Sequence, residues 1–416
     1  MKRVIRIGSK RKSKPTEQEK AATADLNTRV ALIQALIPIG LDAVSEELQR
    51  EVVQLAGVKH SREGGLLGHY HWGSQEGSIY LSDQKLRISV PRVRDVSKNR
   101  EVSLESYRML QKPRNADEGV MRKILYGLSC HNYEQCAEAV PEAFGLSSST
   151  ISRRFIQGSA SKLKELMDRD LSEHDFVALF LDGKSFAQDE MILGLGVTLE
   201  GDKVVLGLIQ AGTENEIVIK AFLNDLVGRG LKIEEGLLCV IDGGKGLRSA
   251  IRKVFADKAV VQRCQWHKRE NVVSHLPKAH QASWRRKLQH AYEKPTYEEA
   301  KAALHRLKPE LKLLNVSALN SLEEGLEETL TLHRLGLFEH LGISFKTTNC
   351  IESVMALVGQ YTDKVDHWKN SSQKHRWVAT ALLEIEPRLR RVKGYRKLWK
   401  LREALKQHAR ILRQAA

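Results

Sequence analysis

Short apolar runs bounded by turn residues alternate along this chain with longer stretches of helical spacing, a pattern that predicts a mixed α/β protein. Phe176 to Leu181 are consecutive apolar residues, too few for an isolated helix, and predict a strand buried on both faces with Asp182 at its C-terminal edge. Asp182-Gly183 reads either as a plain chain reversal or as an acid presented at a sheet edge, where ligands bind in open α/β sheets. Met191 to Leu199 and Val204 to Ile209, joined by Glu200-Gly201-Asp202-Lys203, predict a hairpin. A helix from about Glu214 to Val227 follows and stops at Gly228-Arg229-Gly230. Leu237 to Ile241 then repeats the first pattern, a buried strand ending in Asp242-Gly243. Behind it, Leu247, Ile251, Val254 and Phe255 fall at helical spacing, and Ala259 to Gln262 predict another short strand. From residue 278 to about 340 the spacing is helical throughout.

Towards the N-terminus the pattern is looser. Residues 1–24 carry eight Lys or Arg and two acids with almost no apolar periodicity, which predicts a disordered basic arm. Leu26 to Leu55 predict two helices broken at Pro38-Ile39-Gly40, and Gly77 to Leu81 with Leu86 to Val93 predict a hairpin around Ser82 to Lys85. Tyr133 to Val140, then Phe144-Gly145-Leu146, then Ser147 to Phe155 have the layout of a helix-turn-helix, with Gly145 at the turn and a serine cap on the second helix. In that motif the start of the second helix enters the major groove, which singles out Ser148, Ser149, Ser152, Arg153 and Arg154. An ordinary helical hairpin with a solvated basic face has the same layout.

Charge sharpens the picture. The formal net charge of +16 on 416 residues points to a polyanionic partner, most commonly nucleic acid. No apolar run approaches the roughly 18 residues of a spanning helix, and the basic N-terminus lacks the apolar region of a signal peptide. A soluble, cytoplasmic protein is expected. The five cysteines, an odd number spread through apparent core segments, suit a reducing compartment.

Candidate chemistry gathers at three acids. Asp182 and Asp242 converge if their strands are neighbours. Glu352, in Thr347-Thr348-Asn349-Cys350-Ile351-Glu352-Ser353, supplies a third, although Asn349 followed by Glu352 also resembles a capping box. Three such carboxylates can hold paired divalent ions, activating an attacking oxygen and stabilising a leaving one in phosphoryl transfer. The helix after Asp242 carries Lys245 and Arg248. His267, Lys268 and Arg269 could face a scissile phosphate. Trp368 and Trp377, beside bases such as Arg376, suit either base stacking or a core. Cys264 and His267 have half of a zinc-finger spacing without a partner pair, and His69 with His71 likewise lacks one. Asp242-Gly243-Gly244-Lys245 is not a triphosphate-binding loop, since residue 239 would have to be glycine and is cysteine. The C-terminal stretch from Pro387 holds eleven Lys or Arg and one acid, Glu403, and reads as a solvated face or a phosphate track.

Leu181-Asp182-Gly183, Val240-Ile241-Asp242-Gly243-Gly244, Cys264-Gln265-Trp266-His267 and the Thr347 to Ser353 segment, in this order, resemble the mutator-type DDE transposases of bacterial insertion sequences. The acids are separated by 60 and 110 residues, as in that family, and the resemblance covers about residue 80 to the C-terminus. It implies an RNase H-like mixed sheet with flanking helices and a helical insertion, preceded by a helix-turn-helix DNA-binding region. The expected organisation is a basic arm (1–24), a helical region with a small β hairpin (25–114), the helix-turn-helix region (115–172), a core in two parts (173–277 and 346–386) around the insertion (278–345), and a basic helical tail (387–416). Asp182, Asp242 and Glu352 match the family's acidic triad, which implies two Mg²⁺ ions, with Mn²⁺ as substitute. The implied activity is binding of terminal inverted repeats, strand cleavage and strand transfer by a homodimer or larger assembly in the nucleoid-containing cytoplasm, without a nucleotide cofactor. A two-metal nuclease without strand transfer and a DNA-binding regulator with an inactive core are the alternatives.

Overall fold

The structure is a computed structural model that describes residues 40–60, 68–81, 84–111, 116–130, 132–133, 145–186, 189–211 and 215–415. The expected basic arm, and the first helix of the helix-turn-helix apart from Tyr133, lie outside the described residues. The chain divides into two compact units, residues 1–120 with 129–152 and residues 121–128 with 153–416.

In the first unit, a helix over residues 40–56 (α1) is followed by β1 (His69–Leu81), β2 (Gln84–Asp95) and β3 (Arg100–Val102), an antiparallel sheet in the order β1-β2-β3. The predicted hairpin exists and is longer than its apolar runs, pairing from His69↔Asp95 to Leu81↔Gln84. Polar residues extend it because an antiparallel ladder needs only one apolar face. That face (Val90, Val93) packs with Leu48 and Val52 of α1 and with Leu104. Glu51 accepts from the backbone N–H groups of Glu105 and Ser106 at the start of α2 (Glu105–Leu110). His71 is bonded to the Gly57 carbonyl at 2.8 Å.

α3 (Ala116–Leu125) precedes α4 (Ser148–Met167), within which the division between the units falls. At the entrance to α4, Gly145 has φ +90°, a conformation that favours glycine, and Leu146 is buried. Ile151, Phe155, Ser159 and Leu166 form the buried stripe of α4.

The second unit is built on a mixed five-stranded sheet in the order β6-β5-β4-β7-β8. Its strands are β4 (Phe176–Phe186), β5 (Asp189–Thr198), β6 (Lys203–Ala211), β7 (Leu237–Ile241) and β8 (Ala259–Arg263). β4, β5 and β6 pair antiparallel, while β7 joins β4, and β8 joins β7, in parallel. The crossover helices α5 (Glu216–Gly228) and α6 (Lys245–Phe255) cover one face, where Leu179, Leu181, Leu237, Cys239 and Ile241 meet Phe222, Leu223, Leu247, Ile251 and Phe255.

One expectation is corrected. β4 does not end at Asp182. It runs to Phe186, pairing Asp182 with Leu193 and Phe186 with Asp189, so Asp182-Gly183 is not a turn. What ends near Asp182 is the parallel pairing with β7, whose last rung is Leu181↔Ile241.

Beyond β8, α7 (Gln265–Ser274), α8 (Lys278–Tyr292), α9 (Tyr297–Leu314), α10 (Val316–Glu323) and α11 (Leu326–Thr329) share a separate core around Trp284, Leu288, Leu304, Leu311 and Leu322. Thr296 and Glu299 start α9 with a reciprocal capping box. The chain returns through α12 (Thr331–Arg334) and α13 (Phe338–Phe345) to α14 (Asn349–Thr362), α15 (Ser371–Ile385) and α16 (Leu398–Ala415). The basic C-terminus is therefore a packed helix with Leu398, Leu401, Leu405 and Ala409 buried. Arg402 on that buried stripe donates to the Gly236 and Phe176 carbonyls, both at 2.8 Å, and to Asp175.

Candidate functional site

The alternation of side chains along a strand places the acids. On β7, residues 237, 239 and 241 face α5 and α6, so Asp242, one step further, turns to the opposite face. On β4, Leu179 and Leu181 face the helices and Phe180 the other side, where it stacks on Phe345 of α13 with ring centroids 5.6 Å apart. Asp182 shares that side. Leu181↔Ile241 is the last parallel rung, so Asp182 and Asp242 follow it directly at neighbouring positions, close enough for the Asp242 charge to act on Asp182. Gln262 and Cys264 continue the same parity at the end of β8, beside β7.

The turn after β7 holds Asp242 in place. Gly244 donates its N–H to Asp242 Oδ1 at 2.9 Å. Gly243 has φ +113°, and a Cβ there would lie 1.9 Å from Arg263 Nε, so both conformation and space demand glycine. Arg263 itself is buried and donates to the Glu324 carbonyl at 3.1 Å.

Glu352 arrives from above, in the first turn of α14, a helix that packs on β4. The capping-box alternative does not hold. The N-cap is Thr348, not Asn349, and its hydroxyl bonds Glu352 Oε1 at 2.6 Å in place of a helix N–H. Glu352 keeps 41% of its side chain exposed, which leaves carboxylate surface open to a ligand.

His267, in the first turn of α7, stands with Nε2 4.0 Å from Glu352 Oε1 and Nδ1 3.3 Å from Thr348 Oγ1. Its partner Cys264 is buried. Cys264 donates its N–H to the Ile241 carbonyl at 2.7 Å, and its Sγ accepts from the N–H groups of His267 (3.5 Å) and Thr348 (3.4 Å). The Cys-x-x-His spacing thus stitches the end of β7 to the starts of α7 and α14. Among the described residues no group of three His, Cys, Asp or Glu stands ready to hold a metal ion.

The electrostatics of the cluster are those of crowded anions. Burial pushes the Asp182 carboxyl up to about 7, and the neighbouring charges of Asp242 and Glu352 push the same way while His267 pulls back. His267 is raised to about 9, by its bond to Cys264 first and then by the Asp182 and Glu352 charges. Burial alone would raise the Cys264 thiol, but bonds from His267 and Thr348 outweigh it and hold it below its ordinary value.

The remaining residues singled out in the sequence divide by exposure. Ser149, Arg153 and Lys245 are exposed, and Ser148 and Ser152 are half-buried. Arg154 is buried on α4. Arg248 pairs with Glu328 at 2.5 Å. Arg269 donates to Glu270 (3.0 Å) and Gln289 (2.8 Å). Lys268, expected at a phosphate, is fully buried, and its ammonium donates to the Ser321 and Glu324 carbonyls at the end of α10. Trp377 is buried against Phe155, Trp368 meets it edge-on at 6.0 Å, and Arg376 donates to Ser372 at 2.7 Å. Trp377 is thus a core residue, the second of its two sequence readings.

Three residues at the site were not singled out. Thr348 lies inside the motif around Glu352 and Arg263 just before Cys264, but neither residue type signals a site by itself. Trp266 lies inside the Cys-x-x-His spacer, is 47% exposed and stands edge-on to His267 at 4.9 Å. An aromatic on the first turn of a helix beside a candidate site was the available signal.

Known proteins resemble the chain over most of its length. It is 28% identical over 397 residues to the transposase for insertion sequence element ISRM5 of Rhizobium meliloti (strain 1021), covering 91% of this chain and 95% of the relative. It is 30% identical over 242 residues to the transposase for IS6120 of Mycolicibacterium smegmatis, covering 56% of this chain and 73% of that one. The transposase for IS256 in transposon Tn4001 of Staphylococcus aureus is 25% identical over 331 residues, covering 75% and 80%. The family described as "Transposase, Mutator family" matches residues 10–390, and the chain belongs to it.

Proposed function

We propose that this chain is a DNA transposase whose acidic triad, Asp182, Asp242 and Glu352, cuts the ends of an insertion sequence and joins them to target DNA. The observation that carries the reading is the parity and register that set both aspartates side by side on one sheet face, under the helix bearing Glu352. A mixed five-stranded sheet followed by a helical block between the second aspartate and the glutamate supports an RNase H-like core.

The donor set fits divalent cations. All three groups are hard oxygen ligands, the donor type that divalent cations take. Bound Mg²⁺ ions, for which Mn²⁺ can substitute, would activate the attacking oxygen and neutralise charge on the scissile phosphate. The chain's own residues do the rest. Asp182 is fixed by the ladder with β5, Asp242 by the turn after β7, and Glu352 by Thr348. His267 brings a positive charge to the triad's edge, and exposed Lys245 at the start of α6 can take a DNA phosphate. In the first step water attacks phosphorus and the element's 3′-oxygen leaves as a hydroxyl. In the second, that hydroxyl attacks a target phosphodiester and displaces the target's own 3′-oxygen, so one bond forms for each that breaks. α4, with Ser149 and Arg153 exposed, is the proposed recognition helix of a helix-turn-helix that binds the terminal repeats. Joining two ends calls for at least a homodimer on DNA.

The test uses full-length protein, Mg²⁺ and a duplex carrying the DNA that flanks the reading frame. Nicked ends and joined molecules are expected from the wild type, and neither from Asp182→Asn, Asp242→Asn or Glu352→Gln with DNA binding retained. Cleavage without joined molecules favours the nuclease reading. Binding without cleavage favours the regulator.

A further inference from the structure

The Cys264/His267 pair has no zinc partner among the described residues and yet is tied by hydrogen bonds to Thr348 and to the end of β7. A hydroxyl has one proton. Thr348 Oγ1 lies 2.6 Å from Glu352 Oε1, 3.3 Å from His267 Nδ1 and 3.5 Å from Cys264 Sγ. The shortest contact, to a carboxylate, takes that proton. His267 Nδ1 must then carry hydrogen and donate to Thr348 Oγ1, which turns Nε2 towards Glu352. Thr348 is at the N-cap of α14, where a threonine ordinarily bonds the helix N–H groups. Here no such bond forms, and the side chain is fully buried. Its backbone N–H is also committed, to Cys264 Sγ, and Cys264 is bonded to the Ile241 carbonyl immediately before Asp242.

We propose that Thr348 is a positioning residue, the buried centre of a relay from His267 through Thr348 to Glu352 that Cys264 anchors to the end of β7. The relay sets the third carboxylate against the two aspartates for divalent-cation binding. On this account the Cys-x-x-His spacing is a clamp between β7, α7 and α14, not half of a zinc site. The inference rests on the metal-dependent reading of the triad.

The experiment compares wild type, Thr348→Val, which keeps the shape and loses the hydroxyl, and Thr348→Ser, which keeps the hydroxyl. Mn²⁺ binding to DNA-free protein is measured by calorimetry, and single-turnover cleavage of the flanking-DNA duplex at saturating DNA. Outer partners of metal-binding side chains typically contribute about 10–100-fold to affinity or activity. Thr348→Val is expected to lose Mn²⁺ affinity and cleavage rate by that order, with DNA affinity unchanged, and Thr348→Ser to recover most of both. Wild-type Mn²⁺ affinity in Thr348→Val overturns the proposal. Equal loss in Thr348→Ser overturns it too, because the methyl and not the hydroxyl would then matter. Should Thr348→Val not fold, His267→Leu and His267→Asn decide: only the amide can replace the Nδ1 donor, so equal Mn²⁺ affinities refute the relay. If wild type binds Mn²⁺ but cleaves nothing, the proposed function falls and the calorimetric arm still tests the relay.

Discussion

Asp182 is an acid that the fold holds at a disadvantage. Its unfolded value is near 3.8 and its folded value about 7, so the folded state binds the extra proton between them. The contribution to stability is complete below about pH 4 and is lost as pH rises through 7. In chelator, Asp182→Asn is therefore expected to melt above wild type at pH 8 and level with it at pH 4. Mn²⁺ should then raise the melting temperature of wild type more than that of the variant. Superimposable pH profiles in chelator would show that the acid is not strained. Gly243→Ala places a Cβ against Arg263 at a left-handed backbone, and a loss of about 1–3 kcal/mol is expected in denaturant unfolding. The two strands that lead to Asp182 and Asp242 were legible because a short buried apolar run is a local signal, while their adjacency was a condition that only the β4–β7 pairing could meet. Thr348 was not legible, because its hydroxyl chooses between a helix N–H and Glu352 only once α14 is seated.

Elements explain why a count of basic residues misleads about where they act. Arg154, Lys268 and Arg402 are all buried, each in a segment whose sequence reads as a basic surface. Lys268 shows the consequence. Burial, with the Arg263 charge behind it, depresses its ammonium to about 8, and its contacts are carbonyls at the end of α10. Lys268→Ala is expected to destabilise the protein by about 2–4 kcal/mol, since it leaves a cavity and strips two carbonyls of their donor. It should leave the salt dependence of DNA binding unchanged. Lys245→Ala, at an exposed site, should do the reverse: near-neutral stability and a salt slope shallower by about one. Titrating labelled duplex at several salt concentrations separates the two, and a shallower slope for Lys268→Ala would mean that its side chain reaches DNA after all. The helices between residues 278 and about 340 were legible from spacing alone. The grip of α7 and α10 on each other through a buried lysine was not, because nothing local distinguishes Lys268 from its exposed neighbours.

At the scale of the whole chain, the order of strands and helices in the second unit followed from the sequence almost segment by segment. The exception was the length of β4, where polar residues continue a strand that its apolar run had closed. Antiparallel pairing with β5 sustains that extension, and pairing is a property of two segments, not one. The net charge of +16 is likewise a property of the sum. With several of the cations buried, the surface excess must come from those left exposed, among them Arg153 and Lys245. If these face DNA, each phosphate neutralised releases counterions, and the logarithm of affinity falls against that of salt by about 0.9 per phosphate. For full-length protein on the flanking duplex we expect a slope steeper than about −3 between about 50 and 200 mM salt. Asp182→Asn should preserve that slope, since it alters the chemistry and not the basic surface. A slope near −1 would mean that the excess charge is scattered over the molecule and that its attraction for DNA does not arise from an organised face.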